Sequence, residues 1–387
     1  MTQPSRSRLF SSLFLPRAIA LLFAAISGAP LLWISGPARA SDTLQLSGDD
    51  ATTLFDKAKA AVVQVRSGDT GFVQAGSGFF IDDQGTVLTS STILGDNKTA
   101  RVVINGVEMD AKIIGNDPRS GLAMLRVSYD ETPSLPLGHS SELKSGDDVV
   151  MIGYPMNLAV ASSQGPVSGF DASYLAKVNG DDASPKGSVA AVERFATTHI
   201  HANVAICPGQ VGGPLLNARG EVVGLIATSP DDGRSVYALP VEAMEKIISD
   251  FNLYGRARHG WVGVNVMEVP DTSHDGRRVQ VVQVVPGTPA SESGIQRGDT
   301  VMRIDTREIY RPADVLDASF FSHVGGTMTV VIRREEKLYN YSFAVIERPA
   351  NAGAPSTHPV TINSTPLPDS DLSSHPMQVS RFATNSP

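Results

Sequence analysis

The stretch Cys207-Pro208-Gly209-Gln210-Val211-Gly212-Gly213-Pro214-Leu215 limits what this chain can fold into more than any other. Pro208 and four glycines, counting Gly220, crowd one short turn between the apolar runs at 204–206 and 222–226. Glycine-dense turns between strands mark a backbone that takes left-handed conformations or leaves room for a ligand. In such a turn the amides of Gly209 and Val211 are placed to share one small concavity. That is the geometry of an oxyanion hole when a nucleophile stands beside it.

Around this turn the chain reads as short β-segments at 61–65, 78–81, 87–89, 101–104, 111–114, 122–127 and 149–153, resuming at 197–206 and 221–226. Turn residues separate them: Asp82-Asp83-Gln84-Gly85, Asn105-Gly106, Asn116-Asp117-Pro118 and Gly146-Asp147. Strands and turns at this spacing predict an all-β sandwich or barrel. A polar insert from about 171 to 188 reads as a mobile surface loop. Residues 41–58 read as polar, with an amphipathic patch at Leu54-Phe55; helical spacing over 241–251 predicts a closing helix.

Gly76-Ser77-Gly78-Phe79, Gly85-Thr86-Val87-Leu88-Thr89, Asp117-Pro118-Arg119 with Leu122-Ala123, Gly153-Tyr154-Pro155 and Tyr237-Ala238-Leu239-Pro240 precede or follow the 207–215 turn in a set order. Together they resemble the trypsin-like serine proteases of the HtrA/Deg family. The resemblance implies a mostly β chain, with two perpendicular six-stranded barrels over 41–254 and a cleft between them. It also locates the catalytic positions. The family loop reads Asn-Pro-Gly-Asn-Ser-Gly-Gly-Pro-Leu, so Val211 occupies the nucleophile position and Gly209 and Val211 supply the oxyanion-hole amides. The family histidine maps to Thr92 and the aspartate, after Asp117-Pro118-Arg119-Ser120, to Gly121. Valine has no hydroxyl, and a threonine hydroxyl is no base near neutral pH. All three triad members are replaced, and loss of any one removes most of the rate.

Residues 255–348 form a second unit: Gly260-Trp261-Val262-Gly263-Val264, then Pro286-Gly287-Thr288-Pro289-Ala290, Gly294 and Gly298-Asp299-Thr300-Val301, with a candidate helix over 311–321. This resembles one PDZ domain (α+β) in the permuted order of the same family. The resemblance implies that a peptide C-terminus adds as a strand, its carboxylate on the amides of the turn Trp261, Val262, Gly263 and Val264. Leu316 and Phe320 of the helix are the candidates to line its groove.

The N-terminus carries Arg6, Arg8 and Arg17, an apolar run over 18–34 and Ala38-Arg39-Ala40. These read as a secretory leader over 1–40, cleaved after Ala40, and so as an exported or periplasmic protein; an uncleaved anchor is the alternative. Residues 349–387 are rich in Pro, Ser, Thr and Asn without periodicity and read as a disordered tail. A net charge of −8 argues against nucleic acid as a partner. The expected partners are peptides or protein C-termini and an active HtrA-type protease, in a homotrimer or mixed trimer as the resemblance implies. No cofactor is expected. The expected role is that of a pseudoprotease acting as scaffold, chaperone-like factor or regulator. Beside it stand a purely structural partner of an envelope complex and two further alternatives. One is an active serine endopeptidase with unrecognised catalytic residues. The other is a metal-binding protein using His199 and His201, which alternate on one predicted strand and share a face.

Overall fold

The computed structural model describes residues 46–68, 74–178, 189–271 and 276–349. The expected leader over 1–40, the centre of the polar insert at 179–188 and the tail from 350 onward lie outside the described residues. No helix among the described residues is long and apolar enough to cross a membrane.

The polar start folds as helix α1 (Gly48–Ala58). Ser47 caps it by accepting the Asp50 amide, and Asp49 and Asp50 sit in the first turn, where the helix dipole favours negative charge. Leu54 and Ala58, four residues apart, form its buried stripe.

Strands β1 (Val62–Ser67), β2 (Gln74–Phe80), β3 (Thr86–Ser90), β4 (Ala100–Ile104), β5 (Val107–Asp117) and β6 (Leu122–Val127) close a barrel in the order β1-β2-β3-β6-β5-β4. A one-turn helix α2 (Ser91–Leu94) follows β3. A second closed barrel runs β10-β11-β12-β9-β8-β7, built from β7 (Asp148–Gly153), β8 (Ala161–Val178), β9 (Val189–Ala202), β10 (Pro214–Leu216), β11 (Val222–Thr228) and β12 (Val236–Pro240). The expected loop over 171–188 is corrected at its ends. β8 runs on to Val178 and β9 starts at Val189, paired as Val178↔Val189 and Ala176↔Ala191. Phe170, Ala172, Tyr174, Ala176 and Val178 alternate with period two, a strand signal masked by the Asn179-Gly180-Asp181-Asp182 turn.

Each barrel has its own apolar interior: Val65, Phe80, Val87 and Leu125 in the first, Met151, Ile200, Leu215 and Ile226 in the second. A third core fills the seam between them with Phe79, Leu88, Ile152, Leu225 and Leu239. Helix α3 (Val241–Tyr254) closes that seam with Met244, Ile247 and Phe251, and ends at Gly255 in the left-handed conformation that terminates helices. The Phe251 ring lies directly over Gly115, where any side chain would meet it at 2.3 Å.

The second unit is an α+β sheet with strand path β14-β15-β16-β18-β19. It comprises β13 (Gly260–Trp261), β14 (Val264–Asp271), β15 (Gly276–Val284), α4 (Pro289–Ser293), β16 (Thr300–Ile304), β17 (Arg307–Glu308), α5 (Pro312–Phe321), β18 (Thr327–Arg334), β19 (Lys337–Ala344) and β20 (Ile346–Glu347). Short β13 pairs β20 and ties the start of the unit to its end. β14 is an edge strand, paired with β15 alone, and α5 packs near it.

Truncation of Phe251 to alanine removes the ring that bridges α3 and the first barrel. The expected cost is about 3–5 kcal/mol of unfolding free energy, read as a lowered urea midpoint with an unchanged slope.

Candidate functional site

The 207–213 loop is two consecutive turns. The Gln210 amide donates to the Cys207 carbonyl (3.2 Å) with Gly209 at φ +95°, and the Gly213 amide donates to the Gln210 carbonyl (3.2 Å) with Gly212 at φ +87°. Both place glycine third, where a type II turn requires positive φ, and Pro208 sits second in the first turn, where its fixed φ suits. Neither glycine tolerates a side chain: a Cβ at Gly209 would lie 2.5 Å from the Tyr154 oxygen, and one at Gly212 2.3 Å from the Ser77 oxygen.

Most of the loop's other backbone groups are paired. Cys207 N–H donates to the side-chain Oε1 of Gln210 (2.8 Å), itself buried. The Pro208 carbonyl accepts from Met156 N–H (2.6 Å), the Gly209 carbonyl from the Ser77 hydroxyl (2.8 Å) and the Val211 carbonyl from Ser77 N–H (2.9 Å). Gly212 N–H donates to Ile226 (2.8 Å), whose own amide donates to Gly213 (2.9 Å). Among the described residues, the loop's N–H groups without an acceptor are those of Gly209 and Val211. These are the two that the sequence assigns to an oxyanion hole.

The other two positions meet this loop at the end of β3. Ser91 N–H donates to the Gly121 carbonyl (2.9 Å), and the Cβ position of Gly212 lies 2.9 Å from the Ser90 amide. Thr92 stands in the first turn of α2, its hydroxyl 2.8 Å from that of Ser90. Gly121 has φ +83°, with Ala227 beside it. The Val211 side chain is half-buried and packs toward the first barrel's core with Ile93. The fold brings Thr92, Gly121 and Val211 together, and no hydroxyl–imidazole–carboxylate relay spans them.

His199 and His201 do not converge on a shared ligand. His199 is buried and stacks on Phe195 (3.8 Å between centroids), its Nδ1–H donating to the Thr197 carbonyl (2.9 Å). His201 stacks on Tyr237 (4.4 Å), with Nδ1 at 3.3 Å from Asp171 and Nε2 at 3.3 Å from the Ser235 hydroxyl. Its ring nitrogens are already engaged. No group of three or more His, Cys, Asp or Glu side chains is arranged for a metal among the described residues. Burial pushes His199 down to about 4, although its bond to Thr197 acts the other way.

In the second unit Gly263 takes φ +86° against Thr288. Carbonyls of the Trp261–Val264 turn are used inward: Val262 accepts from Ala290 (3.1 Å) and Gly263 from Val285 (2.8 Å). The amides of Val262 and Gly263 make no backbone bond among the described residues, as an anion-receiving turn requires. Trp261 and Val264 are half-buried, Val262 is buried, and Leu316 is half-buried on α5. Phe320 is corrected. It is 3% exposed and packs into the seam core, under Lys246 (5.2 Å to the ring) and beside His259 (5.7 Å), so it faces the barrel and not a bound strand.

The sequence reading missed this docking of α5. Asp317 accepts from the Thr197 hydroxyl (2.7 Å), the Thr198 amide (2.7 Å) and the Thr198 hydroxyl (2.9 Å). One step away, His259 Nε2 lies 3.0 and 3.1 Å from the two oxygens of Asp117. Burial alone would raise the Asp117 carboxyl, but the bonds from His259, Ser120 and Arg119 outweigh it and hold it below the ordinary 3.8. Residues 142 apart meet here, beyond the reach of any local pattern.

Two closed barrels with a glycine-built turn at their seam, followed by a sheet with an open edge strand, define a trypsin-type double barrel bearing a PDZ domain. A trypsin-like peptidase domain model matches residues 76–225 and a PDZ domain model residues 260–345. A probable periplasmic serine endoprotease, DegP-like, of Pseudomonas fulva is 31% identical over 294 residues, covering 73% of this chain and 58% of its own length. The putative serine protease HhoB of Synechocystis is 26% identical over 278 residues, covering 68% and 64% respectively. The chain thus spans about three-fifths of the relatives it matches. Among solved structures, the HtrA-type protease AlgW with tripeptide superposes with a TM-score of 0.63 at 22% identity, over 78% of this chain and 99% of that one. The serine endoprotease of Yersinia pestis gives 0.56 at 22%, over 79% and 100%. The chain belongs to the HtrA/Deg family.

An unfolded chain protonates His199 below its ordinary 6.5, while the folded protein refuses that proton until about pH 4. Stability therefore falls as pH drops through this window, by up to about 3 kcal/mol. Urea titrations at intervals from pH 7 to 4 should show the slope, and His199→Phe should flatten it.

Proposed function

We propose that this chain is a non-hydrolysing HtrA-type protein that holds peptides or protein C-termini through its PDZ domain. The observation that carries the proposal is Val211 in an otherwise complete oxyanion turn, with Thr92 and Gly121 beside it. The site can receive a carbonyl oxygen but has nothing to attack it with, no base to take a proton and no carboxylate to orient one. Restoring the missing carboxylate is no simple swap, since a side chain at Gly121 would have to adopt φ +83°.

The peptide-holding half of the proposal is supported by the open edge of β14. A strand added there satisfies its main chain on β14, and its carboxylate falls on the amides of Val262 and Gly263. Leu316 offers an apolar contact, so termini ending in Val, Leu, Ile or Phe fit. Relatives named as periplasmic and the basic-apolar N-terminus support action in the periplasm. The role is that of a scaffold or chaperone-like factor, or of a regulator assembled with an active HtrA-type protease in a homotrimer or mixed trimer.

Purified protein should leave unfolded casein intact and take up no fluorophosphonate probe. Val211→Ser should remain inactive, because no base is supplied with it; turnover in that variant defeats the proposal. Peptides with apolar termini should bind full-length protein in the micromolar range, about −8 kcal/mol. Gly263→Val, which drives a side chain into Thr288, should remove that binding phase in isothermal titration.

A further inference from the structure

We propose that the paired turns at 207–213 form a second carboxylate receptor, which takes the C-terminus of a peptide. The proposal rests on the non-hydrolysing reading and assigns to the dead site a ligand of its own. Across 207–213 the N–H groups of Gly209 and Val211 are singled out as open donors. Two left-handed glycines, each within 2.5 Å of a carbonyl oxygen at its Cβ position, and the buried Gln210 side chain hold that arrangement. Packing against Ser77 accounts for the loop's carbonyls, and it leaves the two amides as open donors. Geometry of this kind persists where the surroundings over-determine it.

Charge decides which oxygen it takes. An intact triad sets a buried carboxylate near this turn, and it repels an anionic chain end. Here that position is Gly121, and Thr92 and Val211 are also uncharged. A terminal carboxylate then gains charge-assisted bonds from two amides, roughly twice as strong as those to a neutral carbonyl. The half-buried Val211 side chain offers apolar contact where the nucleophile would stand. The ligand class is a peptide ending in a free α-carboxylate, with an uncharged terminal residue.

Cys207 is the single cysteine of the chain and is exposed at the head of the turn, so an environment-sensitive fluorophore on its Sγ reports on the site in full-length protein. The probes are an octapeptide ending in valine, its C-terminal amide, and acetate. The free acid should give a saturable change, the amide should bind at least about tenfold more weakly, and acetate should give none at the same concentrations. Val211→Pro deletes one N–H at the second position of a turn that accepts proline, and should weaken binding about tenfold or more. Val211→Ala keeps the N–H but trims the apolar contact, so it should bind more weakly than the unaltered protein and more tightly than Val211→Pro. Val211→Asp sets a carboxylate beside the same amides and should abolish the response while the circular-dichroism spectrum stays that of the folded protein, which covers the case of a misfolded proline variant. Gly263→Val disables the PDZ turn and should leave the Cys207 response in place. Equal binding of acid and amide, saturation by acetate, a response lost in Gly263→Val, or one undiminished in Val211→Asp overturns the proposal. Mass spectrometry of the peptide after titration tests the non-hydrolysing reading separately: cleavage defeats that reading, whereas intact peptide without a response defeats only this one.

Discussion

From the first barrel, the amide and hydroxyl of Ser77 bond three backbone groups of the second. Its N–H donates to Val211, its hydroxyl donates to Gly209, and the same hydroxyl accepts from Tyr154 N–H at 2.8 Å. The residue is fully buried, so none of these groups can fall back on water. Its neighbours must make way for it: a side chain at Gly76 would meet Ile93 at 2.3 Å, and one at Gly78 the Leu88 carbonyl at 2.8 Å. The Gly-Ser-Gly segment therefore sets the distance between the barrels, and that distance sets the two turns. That packing holds the two open amides of Gly209 and Val211 in place.

Much of this was legible in the chain. Short apolar runs with turn residues between them predicted an all-β sandwich or barrel, the family resemblance implied two barrels, and Pro208, Gly209 and Gly212 fall in the turn positions that their own conformational limits demand. The places of Thr92, Gly121 and Val211 were read from the motifs that flank them. Less was legible where an element is decided by what it packs on. Helix α1 read as polar because Leu54 and Ala58 are its whole buried stripe. The ends of β8 and β9 read as loop because a strong turn signal outweighed a weak alternation.

The candidate groove shows the same limit more sharply. Phe320 has the size and spacing of a groove-lining residue, and nothing local distinguishes that role from the one it plays under α3. The difference comes from Lys246, His259 and the seam core, distant in sequence. Likewise the sequence paired His199 with His201 on one face. That is where the strand puts them, yet aromatic stacking and separate hydrogen-bond partners divide their functions.

Helix α5 belongs to two surfaces at once. One side borders the edge strand where a peptide would add, while Asp317 and Phe320 are embedded in the barrel. The second unit is therefore not a bead on a string. Cut free, it would bare an aromatic ring and strand a carboxylate that three donors now satisfy, so its melting is coupled to that of the barrels. Loss of one unit uncovers buried groups of the other, so the contacts of α5 tie the response of each to heat or denaturant to that of its neighbour.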